Sequence, residues 1–304
     1  MNLADLKAFV ALAETGSIGR AALRLGLTQP ATTRRVQNFE AGMGATALLD
    51  RSTKPATLTP AGRQVLAHCY RVLKSVTDLQ ACARGSAEPS GDLRIGVSPG
   101  LTQSVLSAPF DELRRRYPDV RMRLTSQWTT ALIGAVDRCE LDCAAALLTD
   151  HHSLPSDMAG TQIGVERLGV VGACNIELPT IGRREMCLTH LSGHGWVLNP
   201  VGCGYREASI RACDRAQITC RIVADVLGYD LQLSLVARGA GLGLVPRRLI
   251  DKSAVRQRLR VLTVADFAPE VRVMMLRATV LGSLGVAVDY LQARLATTSR
   301  KFFA

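Results

Sequence analysis

Five polar side chains within nine residues carry hydrogen-bonding groups that match the edges of DNA base pairs. Glutamine pairs with adenine and arginine with guanine, while threonine contacts a phosphate or the methyl group of thymine. The segment has helical periodicity and follows a turn, so we expect these side chains to face outward from one helix. They are Gln29, Thr32, Thr33, Arg34 and Gln37.

Short helices around a tight turn are predicted to position these side chains. Apolar residues at helical spacing predict a first helix over residues 4–14. Ser17 is a candidate cap for a second helix with a face of small residues, and Gly26 supplies the turn after it. Thr28 as cap and Pro30 in the first turn favour the start of a third helix. The inward positions of this third helix are predicted to be Ala31, Val36 and Phe39.

This pattern is typical of a helix-turn-helix whose second helix enters the major groove of DNA. The alternative interpretation is a surface helix that carries a few polar residues and has no partner. The candidate DNA-binding residues in this segment are Ser17, Arg20, Thr28, Gln29, Pro30, Thr32, Thr33, Arg34 and Gln37.

Charge and composition agree with a polyanionic partner. The chain has 304 residues, a formal net charge of +11 and a pI near 9.6. Residues 1–84 carry eleven Lys and Arg against five Asp and Glu. The remaining excess lies in the C-terminal part, where it favours an anionic effector or is only a basic surface. Because 47% of the residues are hydrophobic and 4% aromatic, the core must be mostly aliphatic.

Nine cysteines at irregular spacing do not predict a disulfide framework. Cys139 and Cys143 are one helical turn apart, but no second Cys or His pair stands nearby to complete a zinc site. Cys203 lies in a glycine-rich loop, where a thiol could be reached by an oxidant. We therefore expect no metal and no cofactor, and we keep a cysteine-based redox response as an alternative.

Residues 60–83 predict a long helix with a seam for a second copy of the chain. Thr59 and Pro60 are good start signals. Apolar residues then alternate at spacings of four and three, as in a coiled coil. The alternative is a helix that packs on its own domain. The linker GSAEPSGD follows over residues 85–92. The seam residues are Val65, Cys69, Val72, Val76, Leu79 and Ala83.

The C-terminal part predicts two similar α/β lobes. Strands and helices alternate, which implies a doubly wound parallel sheet. A polar segment over residues 149–156 suggests a crossover to the second lobe. The predicted strands are 93–97, 120–124, 142–148, 167–173, 196–198, 220–224, 242–245 and 271–276, and the predicted helices are 101–116, 131–138, 206–215, 227–238 and 284–296.

Ligands of such folds bind in the cleft outside the carboxyl ends of the strands. A helix start with hydroxyls and free N–H groups after the first strand suits a carboxylate, and a tryptophan can stack on a planar ligand. For each of these residues, ordinary loop packing is the alternative. The effector-binding candidates are Ser98, Gly100, Leu101, Thr102, Trp128, Thr129, Gly202, Cys203 and Tyr205.

No catalytic constellation is evident, so we do not expect an enzyme. The glycine-rich stretch over residues 239–243 precedes a strand rather than a helix, and it therefore lacks the context of a dinucleotide site. The N-terminal apolar stretch contains Asp5 and Glu14, unlike a signal peptide. No run of apolar residues is long enough for a membrane span. We expect a cytoplasmic protein with no membrane partner.

The N-terminal block resembles the LysR-type transcriptional regulators of bacteria. The matching run is FVALAETGSIGRAALRLGLTQPATTRRVQNFE, and LTPAG follows at residues 58–62. The sequence departs from the family where Ile18-Gly19, Phe39 and Leu49 stand at positions that usually hold other residues. The resemblance, weaker in motif detail, extends over the whole chain. It implies a wing at residues 52–57, with Arg51 and Lys54 near it as further DNA contacts.

The resemblance implies an N-terminal winged helix-turn-helix, a linker helix and a two-lobed effector domain like a periplasmic binding protein. We expect the DNA-binding domain at residues 1–59, the dimerisation helix and linker at 60–92 and the effector domain at 93–304. Lobe I would hold about 93–150 and 271–304, and lobe II about 151–270. The implied partners are double-stranded promoter DNA, a small-molecule effector, RNA polymerase and further copies of the chain in a homodimer or homotetramer.

The expected function is therefore promoter binding modulated by a small-molecule effector, with a small organic acid favoured by the basic charge. Two alternatives stay open. One is a cysteine-based redox regulator of the same fold, and the other is an enzyme or solute-binding protein with an accessory DNA-binding head.

Overall fold

The protein was analysed as a computed structural model. The structure describes residues 1–44, 47–50, 52, 57–83, 88–101, 106–149, 152–156, 158–179, 185–279 and 281–302.

Three helices and a two-stranded wing form the N-terminal unit. Phe9 of the first helix stacks on Phe39 of the third, with ring centroids 4.7 Å apart. Thr28 caps the third helix by accepting from the backbone N–H of Ala31. Ser17 stands at the N-cap of the second helix, but among the described residues its side chain makes no capping hydrogen bond. The elements are α1 (Leu3–Thr15), α2 (Ile18–Leu25), α3 (Gln29–Gly42), β1 (Leu49–Asp50) and β2 (Thr57–Leu58).

The linker helix α4 (Pro60–Ala83) starts against the wing. The hydroxyl of Thr59 accepts from the N–H of Gly62 at 3.0 Å, which caps the helix. A Cβ added to Gly62 would stand 2.0 Å from the carbonyl oxygen of Leu48. Only glycine therefore allows the first turn of α4 to approach the segment before β1 so closely.

Ion pairs tie α4 to the C-terminal part of its own chain. Lys74 lies 2.9 Å from the buried carboxylate of Asp142, and the guanidinium of Arg94 binds the same carboxylate. The Arg94 guanidinium also lies over the ring of Tyr70. The Tyr70 hydroxyl in turn donates to Glu14 of α1 at 2.9 Å. The opposite side of α4 exposes part of the predicted seam, with Val72 and Leu79 45% and 69% exposed.

The C-terminal part is a mixed sheet flanked by helices. Its strands are β3 (Gly91–Val97), β4 (Val120–Ser126), β5 (Cys143–Leu148), β6 (Ala159–Ala173), β7 (Trp196–Leu198), β8 (Ile222–Asp225), β9 (Leu242–Pro246), β10 (Leu259–Leu262) and β11 (Glu270–Arg277). Its helices are α5 (Ser107–Arg116), α6 (Thr129–Asp137), α7 (Gly204–Arg215), α8 (Tyr229–Ala237), α9 (Arg247–Asp251) and α10 (Leu284–Phe302).

Strand β6 joins the two lobes. The strand order is β4-β3-β5-β11-β6-β9-β7-β8, and β10 also pairs with β6. The first half of β6 pairs with β11, while its second half pairs with β9 and β10. Strands β3, β4 and β5 are parallel, as are β7, β8 and β9. The β-α-β alternation had predicted these parallel groups, but the crossing strands between them are antiparallel.

Several predicted elements differ from the structure. The helix predicted over 101–116 begins at Ser107, because residues 99–101 form a separate 3-10 turn. Strand β6 begins at Ala159, eight residues before its predicted start. Strand β3 begins at Gly91, inside the predicted linker. Helix α9 and strand β10 were not predicted.

Candidate DNA interface and interlobe site

Helix α3 presents four of its predicted DNA-binding residues to solvent. Gln29, Pro30, Arg34 and Gln37 are exposed, and Thr33 is half-buried. The helix is anchored from behind by Val36 and Phe39, which are both buried. The outward face therefore holds amide and guanidinium donors on a rigid support, which is the arrangement that base recognition needs.

The prediction that Thr32 faces outward is wrong. Thr32 is fully buried, and its hydroxyl donates to the carbonyl of Thr28 at 3.0 Å. Thr32, Val36 and Phe39 are spaced by four and three residues, so they share one face of α3. Ala31, which was predicted to face inward, is half-buried because it lies about 140° around the helix from Val36. A threonine can enter a core because the carbonyl four residues earlier accepts its hydroxyl hydrogen bond.

The remaining DNA-binding candidates lie around α3. Arg20 and Thr28 are exposed, while Ser17 is half-buried at the start of α2. The wing strands pair antiparallel, with Leu49 opposite Leu58. The two wing candidates, Arg51 and Lys54, lie outside the described residues.

In the C-terminal part, two tyrosine hydroxyls converge on the loop after β3. A Cβ added to Gly100 would stand 3.2 Å from the hydroxyl oxygen of Tyr205 and 3.2 Å from that of Tyr229. Both tyrosines are buried, and burial holds the pKa of each hydroxyl well above its usual value of 10. Apart from each other, these hydroxyls have no hydrogen-bond partner among the described residues. Both are neutral donors at physiological pH.

Arg248 connects the two lobes beside these tyrosines. Its Nε donates to the Glu166 carboxylate at 2.8 Å, and its Nη2 donates to the carbonyl of Gly100. Glu166 lies on β6 and Arg248 on α9, so one guanidinium joins lobe II, the crossing strand and the first loop of lobe I. Burial raises the pKa of Glu166, and the adjacent guanidinium opposes that rise.

Other predicted effector residues line the same region but are already packed. Ser98 and Leu101 are buried. Thr129 is buried and donates its hydroxyl hydrogen to the carbonyl of Leu147 at 2.9 Å. The prediction that Gly100 and Leu101 stand at a helix start is wrong, since both lie in the 3-10 turn. Thr102 lies outside the described residues.

Trp128 and Gly202 face each other between the lobes. A Cβ on Gly202 would stand 3.5 Å from the Cβ of Trp128, and Trp128 is half-buried. Cys203 is buried beside Asn199, so the prediction of an accessible thiol in this loop is wrong. Burial raises the pKa of the Cys203 thiol to about 11, which leaves it protonated and poorly nucleophilic.

Sequence reasoning missed three members of this site: Tyr229, Arg248 and Glu166. Tyr229 directly follows the Leu227-Gly228 turn, which is a detectable signal for the start of a ligand-facing helix. Arg248 comes from the five-residue helix α9, which is too short to show a periodic pattern. Glu166 lies within β6, and its side chain is buried only because β6 pairs with β11. The sequence of the strand alone does not show this burial.

The described residues contain neither a metal-binding cluster nor a membrane-spanning helix. No group of three or more His, Cys, Asp or Glu side chains there is placed to hold a metal ion. No helix in the same part of the chain combines the length and the apolar character needed to cross a bilayer.

A winged helix-turn-helix, a linker helix and a two-lobed α/β domain define a DNA-binding regulator with a sensor domain. Residues 3–63 match the bacterial regulatory helix-turn-helix protein family of the lysR type, and residues 86–279 match the LysR substrate binding domain. The chain belongs to the LysR family of bacterial transcriptional regulators.

Individual bacterial regulators are also similar to this chain. A probable hydrogen peroxide-inducible genes activator of Mycobacterium avium is 30% identical over 262 residues, which are 85% of this chain and 82% of the relative. The regulator YusT of Bacillus subtilis is 27% identical over 260 residues, which are 86% and 84% of the two chains.

Solved structures share the fold. A full-length OxyR variant from Pseudomonas aeruginosa has a TM-score of 0.78 at 19% identity, covering 99% of this chain and 97% of its own. Full-length CbnR in complex with its target DNA has a TM-score of 0.58 at 21% identity, covering 99% of each chain.

Proposed function

We propose that a small organic acid binds between the two lobes of this regulator and modulates its binding to promoter DNA. The observation that carries the proposal is the convergence of the Tyr205 and Tyr229 hydroxyls on Gly100. The two hydroxyls have only each other as partners among the described residues, and an unsatisfied buried donor is costly, so the site gains most from a ligand that brings acceptor oxygens. A carboxylate supplies two such oxygens next to the guanidinium of Arg248.

Closure on the ligand would engage both lobes. Gly100, Trp128 and Thr129 belong to lobe I, while Gly202 and Tyr205 belong to lobe II. The ligand shifts the equilibrium between two arrangements only if it binds them with different affinities. The proposed effector residues are Ser98, Gly100, Leu101, Thr102, Trp128, Thr129, Gly202, Cys203, Tyr205, Tyr229 and Arg248.

The outward face of α3 is proposed to read the major groove, with Gln29, Thr33, Arg34 and Gln37 at the bases. Ser17, Arg20, Thr28 and Pro30 would contact the backbone from the helix starts, and Arg51 and Lys54 would do so from the wing. The proposed domains are a DNA-binding domain at residues 1–59, a dimerisation helix and linker at residues 60–92 and an effector domain at residues 93–304.

The exposed Val72 and Leu79 support pairing of two α4 helices, and a homotetramer would follow if the effector domains also pair. We also propose that the regulator contacts RNA polymerase, that it acts in the cytoplasm and that it is not an enzyme.

Genome-wide mapping of bound DNA in the source organism, followed by footprinting of the strongest site, tests DNA recognition. A long protected region with an inverted repeat supports the proposal. The operon beside that site then defines a panel of carboxylic acids for titration against the full-length protein on its promoter. Loss of the response in both Tyr205→Phe and Tyr229→Phe, with unchanged thermal stability, supports the interlobe site. A response that survives both substitutions would contradict the proposed interlobe site.

A second candidate function is a response to peroxide. It is favoured by the name of the Mycobacterium avium relative. The burial and raised pKa of Cys203 argue against that cysteine as the reacting group in the described conformation. Comparing Cys203→Ser with the unaltered protein in a peroxide-dependent promoter assay tests whether Cys203 takes part.

A further inference from the structure

Tyr70 lies where three parts of the chain meet. It belongs to α4, and among the described residues it is the one half-buried side chain that packs against both hydrophobic cores, that of the N-terminal unit and that of the two lobes. Its hydroxyl donates to Glu14 of α1 at 2.9 Å, and the guanidinium of Arg94 on β3 lies 4.8 Å from the centre of its ring. One side chain therefore contacts the N-terminal unit and lobe I at once.

The N-terminal unit and the first half of α4 form one body. Leu66 and Cys69 of α4 are buried in the core of the unit, together with Phe9 and Phe39. Close packing of this kind resists deformation. A change in the direction of α4 must therefore turn the N-terminal unit with it.

The contact between α4 and lobe I has a different character. Apart from Tyr70, none of the α4 side chains that the structure describes belongs to the core of the lobes. Polar contacts take their place, since Lys74 binds Asp142 and Arg71 donates to the carbonyl of Asp137 at 3.2 Å. A cavity of about 570 Å³ remains beside these contacts, lined by residues of α1, α4 and β3. A polar and incompletely packed interface within a chain permits relative motion of its two sides.

Two links through Tyr70 oppose this motion. The hydrogen bond to Glu14 fixes the orientation of the ring, and the ring faces the Arg94 guanidinium, which also binds Asp142. Glu14 is held in turn by an ion pair with Arg24 of α2. Burial and the adjacent Glu14 carboxylate raise the pKa of the Tyr70 hydroxyl above its usual value of 10, so the hydroxyl remains a neutral donor. The contacts run without interruption from α2 to the sheet of lobe I.

We propose that Tyr70 is a positioning residue, which holds the N-terminal unit at one angle to lobe I and thereby limits the half-site spacings that the assembled protein can bind. Two DNA-binding units occupy one site together only if their separation and orientation match its half-sites. In the proposed homotetramer the effector domains are a second point of attachment for each unit, so the angle at Tyr70 enters that match. The inference rests on the proposed recognition of DNA by paired units, and it does not depend on which small molecule binds between the lobes.

The test compares binding of the full-length protein to its footprinted site and to the same site with about two base pairs inserted between the half-sites. The ratio of the two affinities is the spacing penalty. Tyr70→Leu removes the hydrogen bond and the cation–π contact but keeps an apolar side chain between the cores, and it should reduce the penalty about tenfold. Tyr70→Phe removes only the hydrogen bond and should reduce the penalty about threefold. The affinity for an isolated half-site should stay the same, because neither variant alters the outward face of α3.

Two comparisons separate positioning from a general loss of structure. Glu14→Ala removes the acceptor of the same hydrogen bond, so it should match Tyr70→Phe and add nothing to it in the double variant. Tyr290→Phe removes the hydroxyl of a tyrosine that packs on Tyr117 within lobe I, and it should leave the penalty unchanged. A penalty that Tyr70→Leu, Tyr70→Phe and Glu14→Ala all keep would overturn the role of Tyr70. Absence of any penalty in the unaltered protein would refute recognition by paired units, and this inference with it.

Discussion

The ammonium group of Lys74 lies 2.9 Å from the carboxylate of Asp142, so a buried ion pair holds the linker helix against the sheet of lobe I. Arg94 binds the same carboxylate through its side chain and through its backbone N–H at 2.8 Å. The Asp142 side chain is 3% exposed. One carboxylate therefore balances two cations where the DNA-binding and effector parts of the chain meet.

Asp142→Asn should destabilise the protein by about 3 kcal/mol, because it leaves two partly buried cations without their counterion. The measurement is urea unfolding followed by circular dichroism. The pair of Asp92 and Arg123 is about half exposed, so the control Asp92→Asn should cost less than about 1 kcal/mol. Equal losses in the two variants would contradict a special role for the buried pair.

The pH dependence of the Asp142 pair follows from the lowered pKa of Asp142. The folded-state pKa lies below the usual value of 3.8, so the pair stabilises the fold above this pH and loses its contribution as pH falls through the lowered pKa. The difference between the unaltered protein and Asp142→Asn should thus be full at neutral pH and shrink below pH 3.8. A stability difference that grows on acidification would contradict this prediction.

Gly62→Ala should weaken the N-terminal unit by about 3 kcal/mol and reduce DNA binding. The added Cβ would meet the Leu48 carbonyl at 2.0 Å, and it can be accommodated only if α4 moves away from the wing. Thermal unfolding and a gel-shift assay with promoter DNA measure the two effects. Gly193→Ala is the matched control, because its added Cβ has no neighbour within 4 Å. An unchanged melting temperature for Gly62→Ala would show that the contact is not tight.

Arg34→Ala should weaken specific DNA binding by about 1–3 kcal/mol and relax the preference for one base pair, since a bidentate arginine discriminates guanine. Binding to the footprinted site and to single-base variants of it gives both quantities. The exposed Arg116 of lobe I offers a control for the loss of one positive charge. A uniform loss across all sequences would instead indicate that Arg34 contacts a phosphate.

Leu79→Asp should convert the assembled protein to a smaller species in sedimentation experiments. Burying a leucine in a helix pair contributes about 1.5–3 kcal/mol for each copy, and a carboxylate at that position opposes pairing. Thr77→Asp adds the same charge at an exposed position of α4 that lies away from the Val72 and Leu79 face, and it should leave the assembly intact. An unchanged mass for Leu79→Asp would place the main interface elsewhere.

Local signals predicted the N-terminal unit well because its helices are set by caps and short-range spacing. Thr28 and Pro30 start α3 where the sequence indicated. The misplaced residue is Thr32, since a polar side chain gives no hydrophobic signal and is buried only because the Thr28 carbonyl accepts its hydrogen bond. Its position on the inward face follows from packing against α1, which the residue type does not reveal.

The interlobe site was predicted only in part because long-range pairing forms it. Gly100 and Tyr205 follow recognisable strand ends, so a general rule for α/β sheets found them. Glu166 and Arg248 are more than eighty positions apart and meet only after β6 has paired with β11 and β9. Their roles depend on strand order, which the alternation of elements does not determine.

Strand β6 runs through both halves of the sheet, with its first half paired to β11 and its second half paired to β9 and β10. The two lobes therefore share one hydrogen-bonded sheet. Opening them widely would break ladder bonds, whereas a small change in twist can be spread over many residues at little cost. We therefore expect a bound effector to cause a small rotation of one lobe against the other, which the length of α4 would convert into a displacement of the DNA-reading heads.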